Sequence, residues 1–267
     1  MIRRPPRSTQ SRSSAASDVY KRQGLTRLML TPMEPPRLEK LVKIAVAIQV
    51  ITLIVCYFSW VLDGCDPFIP FISDTDTNPA SSWAFTIGFT LTGALTIPLS
   101  IQFYNVRRRW AEQNHGSGIE TMNLLSAISV AISGISIIWI SYTPWHEQME
   151  LHMVQARVIF GGLIIWALLS TAISLRMSER DARFSSLSQT RRSWTVFSLI
   201  CLLGLAISVY SYAGASLSIP AGHMDTVLEC KDLGHPSLSL AAFFEWSMVI
   251  GFAGVSYTGV QEALLLD

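Results

Sequence analysis

The chain has 267 residues, 50% of them hydrophobic and only 15% charged, whereas a soluble domain carries about a quarter charged residues. An ordinary water-soluble enzyme is excluded on that ground. A formal net charge of +1 leaves no clustered excess of Lys and Arg for a polyanion, so no nucleic-acid partner is expected.

The first stretch, residues 1–23, is rich in Arg, Ser and Pro and has the composition of disordered chain. It also resembles adapter read-through in translated sequence assemblies and is set aside from the fold argument. Residues 1–36 are expected to form a disordered tail, and residues 37–267 one membrane domain. Setting 1–23 aside removes six basic residues and Asp18, taking the formal charge from +1 to -4.

Beyond the tail, no Asp, Glu, Lys or Arg stands between Lys43 and Asp63, Asp76 and Arg107, Arg157 and Arg176, or Arg192 and Asp225. Such gaps match bilayer crossings of about 20 residues. Six apolar segments follow in chain order: Leu41 to Leu62, Trp83 to Tyr104, Met122 to Tyr142, Met153 to Leu175, Trp194 to Tyr212 and Leu238 to Tyr257. Hydrocarbon offers no partner for backbone N–H and C=O, so each segment should be a helix; a barrel would show ten-residue alternation. The fold class is all-α, a six-transmembrane-helix bundle.

Pro98 should kink the second span. Trp60, Trp83, Trp110, Trp145 and Trp194 fall at span ends and are expected to anchor in the headgroup layer. Ala127, Ser129, Ala131 and Ser133 in the third span, and Gly204 with Ser208 in the fifth, mark close-packing faces. Cys56 and Cys201 lie within spans and are expected to act as small apolar packing residues.

Eleven basic residues (Arg37, Lys40, Lys43, Arg107 to Arg109, Arg176, Arg180, Arg183, Arg191, Arg192) lie on one side, against Lys231 on the other. Positive charge is retained in the cytoplasm, so both termini are expected there and the loops Asp63 to Ser82, Thr143 to His152 and Ala213 to Ser237 in a lumen or outside. Those loops carry nine acids and four histidines, His146, His152, His223 and His235. Histidines would become charged in an acidic organelle and tighten loop contacts, or simply titrate in water.

Candidate chemistry is sparse. His146, Glu147, Glu150 and His152 are zinc-ligand types, but a six-residue histidine spacing does not put two ligands on one helical face, so no metal is expected. Arg157 and Glu245 stand inside spans at comparable depth and are expected to pair, an isolated intramembrane charge being costly. Cys65 and Cys230 are the two loop cysteines, and an oxidising lumen would allow them to bond. No phosphate-binding glycine loop, nucleophile elbow, paired-histidine metalloprotease helix or Asn-x-Ser/Thr acceptor occurs, and no catalytic residue or cofactor is expected.

The first loop reads CDPFIPFISDTDTNPASSWAF. Pro70, Ile72, Ser73, Asp74, Thr75 and Pro79 resemble the Pro-x-Ile-Ser-Asp-Thr-Gly-x-x-Pro motif of the Frag/DRAM/Sfk-like six-span proteins, most closely the damage-regulated autophagy modulators. Asp76 replaces the usual Gly, and Ala80-Ser81 a usual Pro-Glu. Asp tolerates a left-handed turn better than most residues, so the loop path is expected to survive. His152 with Ala156 and Phe160, and His235 followed by Phe244-Glu245-Trp246, agree as well, while Gln155 and Arg157 depart from the family pattern.

The resemblance implies a non-enzymatic multi-pass modulator of autophagy and cell survival in lysosomal or endosomal membranes, with membrane lipids and membrane or autophagy proteins as partners. Wider relatives imply two alternatives: a lipid-remodelling factor for GPI anchors in the Golgi or endoplasmic reticulum, and a plasma-membrane scaffold for a phosphoinositide kinase. Arg157 and Glu245 within the bundle suggest a third, a small-solute transporter, although inverted repeats are not evident. For the loop itself, Ser73, Asp74 and Thr75 either bond nearby backbone to form a structured cap or contact lipid headgroups. Tyr257 to Val260 has the form of a tyrosine-based sorting signal.

Overall fold

The structure, a computed structural model, describes residues 33–67, 69–114, 118–214, 223–231 and 235–266. Most of the expected disordered tail, residues 1–32, lies outside the described residues. Seven α-helices follow: α1 Pro35–Leu62, α2 Pro79–Gln113, α3 Ile119–Ile140, α4 Trp145–Arg180, α5 Ser185–Ala213, α6 His223–Glu229 and α7 Pro236–Leu265. Two 3-10 turns, Ile72–Asp76 and Ala182–Phe184, complete the set. Six of these helices, all but α6, are long and apolar enough to cross a membrane, and no strand occurs among the described residues.

Local chemistry sets the boundaries. Proline opens α1, α2 and α7, where its fixed φ suits the first turn and its missing N–H costs nothing. Asn78 caps α2, its side-chain oxygen accepting Ala80 N–H at 2.7 Å. Gly214 ends α5 at φ +68, a conformation a side chain would strain.

The spanning helices form a closed ring. Each packs on the next in chain order from α1 to α5, and α7 inserts between α5 and α1, with α4 and α7 facing each other across the interior. Ile51, Ile54 and Phe58 of α1, and Ile200, Leu203 and Ile207 of α5, point outward and are exposed. An apolar belt of that extent is stable only against hydrocarbon. At one end of the ring, here the cap end, the 3-10 turn Ile72–Asp76 rests on α1, α2 and α7. At the other, the arginine end, Trp110, Ile119, Met177, Phe184 and Leu187 form an apolar cluster.

Several expectations are corrected. α1 and α5 at their N-terminal ends, α2 and α7 at their C-terminal ends and α4 at both run one to several turns past the apolar segments, whereas α3 stops at Ile140, short of Tyr142. α2 is helical on both sides of Pro98; a break that the sequence did not announce lies at Gln148 in the first turns of α4, at φ -136 and ψ 53. Of the five tryptophans, Trp60, Trp110 and Trp145 are buried in the protein and Trp194 partly so, leaving Trp83 exposed. The Tyr257–Val260 tetrapeptide is helical, with Thr258, Gly259 and Val260 buried, so it offers no extended sorting peptide. The small-residue faces do pack closely: a Cβ on Gly162 of α4 would lie 3.0 Å from Ser129 O, and Gly204 abuts Phe244.

Candidate functional site

The family-like loop folds into a cap whose bonds are mostly internal. Asp74 Oδ2 accepts Phe71 N–H at 2.9 Å, and Thr75 Oγ1 donates to Ile72 O at 2.6 Å. Ser81 Oγ in turn donates to Thr75 O at 2.5 Å, and Pro79 opens α2 directly behind. Ser73 is half-buried. These contacts follow the short-range bonding that Ser, Asp and Thr favour in place of helix. At Asp76 the backbone is an ordinary 3-10 turn with no left-handed residue, so replacement of the usual glycine costs no strain. Its Oδ1 accepts Ser82 Oγ at 2.9 Å, while Oδ2 is buried without a partner.

The sixth span reaches up to hold this cap. Glu245 of α7 accepts Ile72 N–H at 2.7 Å, and Trp246 Nε1 donates to Pro70 O at 2.8 Å. The two most distinctive stretches of the sequence are therefore one structure. A Cys65–Cys230 disulfide ties the same loop to the segment after α6, and Asp66 N–H donates to Cys230 O at 2.8 Å beside it. Cys230 holds φ +49 to make that approach.

Burial pushes the Asp74 carboxyl up to about 7 against the opposing pull of Phe71 N–H, and the Asp76 carboxyl up to about 6 against that of Ser82. Burial and the neighbouring His235 hold the His223 imidazole below its usual value. His223 sits beside Trp145 and Tyr212, and His235 lies edge-on to Tyr212 at 4.7 Å.

The remaining candidates separate. His152 is not a loop residue: it is buried in α4 with Nδ1 2.7 Å from Thr143 O. Gln155, the departure from the family pattern, is buried beside it and accepts Thr143 Oγ1 at 2.5 Å. His146 and His152, on either side of the break at Gln148, face different partners. Arg157 does not pair with Glu245. It lies on the exposed face of α4, whereas Glu245 is committed to Ile72; equal depth in the membrane fixes only one of the coordinates a contact needs.

At the arginine end stands a cluster the sequence reading did not find. Glu262 of α7 accepts Arg107 Nε at 2.6 Å and Nη2 at 2.8 Å, and Arg191 Nη2 donates to the same carboxylate at 2.7 Å. All three are buried, their side chains 4%, 0% and 1% exposed for Arg107, Glu262 and Arg191. Arg191 Nε donates to Thr258 Oγ1 at 2.8 Å, and Arg107 Nη1 to Ser170 Oγ at 3.3 Å. Arg107 and Arg191 are thus not free cytoplasmic charges. The periodic run Arg191, Thr195, Ser198, Cys201, all on one buried face of α5, was the available signal.

Within the ring, a cavity of about 80 Å³ is walled by α1, α2, α3, α4 and α7 and borders Arg107. That is several times the roughly 10–15 Å³ one water requires.

No curated protein and no solved structure matches the chain. A family model described as the Frag1/DRAM/Sfk1/Cwh43P N-terminal domain matches residues 39–262. That stretch contains the capped loop, Glu245 and Trp246, and the whole Arg107–Glu262–Arg191 cluster, and with six membrane-length helices this chain belongs to the Frag1/DRAM/Sfk1/Cwh43P family of multi-pass membrane proteins.

Proposed function

We propose that the protein is a non-enzymatic modulator of autophagy in the lysosomal or endosomal membrane, acting through membrane lipids and membrane or autophagy proteins. The observation that carries this reading is the interlock of the first loop with Glu245 and Trp246. Asp74, Thr75 and Glu245 spend their side chains on backbone groups of the cap, which supports a shaped recognition surface rather than a reacting centre.

The Cys65–Cys230 disulfide supports a cap facing an oxidising compartment, with both termini in the cytoplasm. Buried Asp74 and Asp76, whose neutral forms are favoured up to about 7 and 6, support an acidic one.

Endogenous tagging with organelle markers, together with autophagic flux in knockout cells, tests the proposal. Lysosomal or endosomal placement with altered flux is expected, restored by the native chain but not by an E245A/W246A variant. Normal flux with altered lipid composition of GPI anchors would overturn it in favour of the remodelling alternative.

A further inference from the structure

The arginine cluster does not balance its own charge. Two guanidinium cations, Arg107 and Arg191, share the single carboxylate Glu262, and among the described residues no other carboxylate bonds either of them. Both guanidinium groups stay charged at any physiological pH. One positive charge is therefore left buried, a costly state in a membrane unless an anion or water meets it.

Arg191 is buried between Thr258, Ser170 and Glu262. Arg107 instead lines the interior cavity. Each of its three nitrogens makes one bond, to Glu262 or Ser170, which leaves one N–H on each terminal nitrogen. Two polar side chains of α3 line the same cavity beside it. Buried Asn123 gives one amide hydrogen to Tyr104 O at 2.8 Å and keeps its second. Buried Ser126 lies 3.3 Å from Ser170 Oγ, the oxygen that accepts Arg107 Nη1. Farther along α2, Thr92, Thr96 and Ser100 turn their hydroxyl hydrogens to carbonyls of their own helix, so their oxygens remain only as acceptors. Unused donors and positive charge thus gather at the Arg107 end of the space.

Size sets the class of ligand. About 80 Å³ is several times the roughly 10–15 Å³ that one water needs, which admits a halide ion with a few waters and excludes an organic chain. We infer that the ring holds one small monovalent inorganic anion, of the size of chloride, against Arg107, with Asn123 and Ser126 as its further donors. The anion neutralises the excess charge of the Arg107–Glu262–Arg191 cluster through charge-assisted hydrogen bonds, and water fills the remaining space among the threonine hydroxyls. It also extends the cluster across the ring. Arg107, Arg191 and Glu262 join α2, α5 and α7, and the anion ties α3 to them.

The test uses the full chain purified in a maltoside detergent. Thermal unfolding is followed at constant ionic strength as sodium gluconate, too bulky for the cavity, is replaced by sodium chloride or bromide. Tm should rise and saturate, gaining about 5 °C or more at about a hundredfold over Kd. Two variants separate the site from general salt effects. Ala127→Leu, on the cavity wall one turn from Asn123, fills the space without touching a charge and should lose the rise. Arg107→Gln leaves Arg191 and Glu262 as a balanced pair and should lose it too, so either variant that folds decides. No rise, a rise that never saturates, or an equal rise in the native chain and the variants would overturn the site. Crystals of the native chain grown in bromide should show its anomalous signal against Arg107, a readout that decides even where neither variant folds; absence of that signal would equally overturn the site.

Discussion

Glu262 grips Arg107 with both carboxylate oxygens, at 2.6 and 2.8 Å, across 155 residues of chain. This two-pronged geometry joins the end of the last spanning helix to the end of the second, and Arg191 of the fifth is drawn in at 2.7 Å. Three helices of the ring are thereby locked at one level by side chains that are almost wholly buried. Removing the central anion leaves two facing cations. Glu262→Ala should therefore cost about 3–5 kcal/mol, seen as a large drop in Tm and in the yield of folded protein. Glu112→Gln, which removes an exposed helical pair with Arg108, should leave Tm unchanged. Equal effects from the two changes would refute the special role of the buried cluster.

The cap is held covalently as well as by hydrogen bonds. Cys65 and Cys230 are separated by 165 residues, and a cross-link closing so long a loop stabilises by about 2–4 kcal/mol. Substituting both with Ser should lower Tm and loosen the loop containing Asp66, whose N–H bonds Cys230 O. The remaining cysteines, Cys56 and Cys201, are buried. Maleimide labelling of the denatured chain should therefore rise from two cysteines to four when reductant is added; four labels without reductant would contradict the bond.

What could be read from the sequence divides by the range of the interaction. Six spans were legible because hydrophobicity and freedom from charge are local properties of about 20 residues. The cap was half legible: Ser73, Asp74 and Thr75 announce local backbone bonding, but nothing in spacing reveals that Ile72 N–H ends on Glu245, 173 residues away. Arg157 and Glu245 show the opposite failure, since shared depth does not give the angular position of each side chain around its helix. Arg107 and Glu262 were hidden by the rule that ends a span at its first charge. Glu262 continues the buried stripe Val255, Thr258, Gly259 of α7, and that periodicity, rather than charge, marks where the packed helix stops.

The cap should tighten in acid. Asp74 and Asp76 ordinarily ionise near 3.8 and are pushed to about 7 and 6 in the fold. Between about pH 4 and 7 the folded cap holds protons that an open one releases, so its stability is greatest in acid and falls as pH rises through those values. Glu245 and Trp145 face Asp74, and Glu147 approaches Asp76. His223, held low by burial and His235, acts in the opposite sense by resisting protonation below about 6.5. The two carboxyls outweigh the one imidazole. Hydrogen exchange of residues 70–82, corrected for intrinsic rates, should be about tenfold slower at pH 5.5 than at pH 7.5. Asp74→Asn should flatten that difference, and an inverted dependence would show that His223 governs the cap.

Backbone approach between α2 and α3 is the tightest in the ring that a methyl group can probe. A Cβ at Gly93 would lie 2.5 Å from Gly134 O, and one at Gly134 would lie 3.1 Å from Gly93 O. Both obstacles are main chain and cannot swing aside. Gly161, on α4, has nothing within 4 Å of such a Cβ, so it serves as a matched control on another spanning helix. Gly93→Ala should force the two helices apart and cost about 1–3 kcal/mol, whereas Gly161→Ala should be neutral or stabilising, since alanine favours helix over glycine by about 1 kcal/mol. Parallel unfolding curves of the two variants measure the contrast. A Gly93→Ala protein as stable as the Gly161→Ala one would mean that α2 and α3 do not meet backbone to backbone.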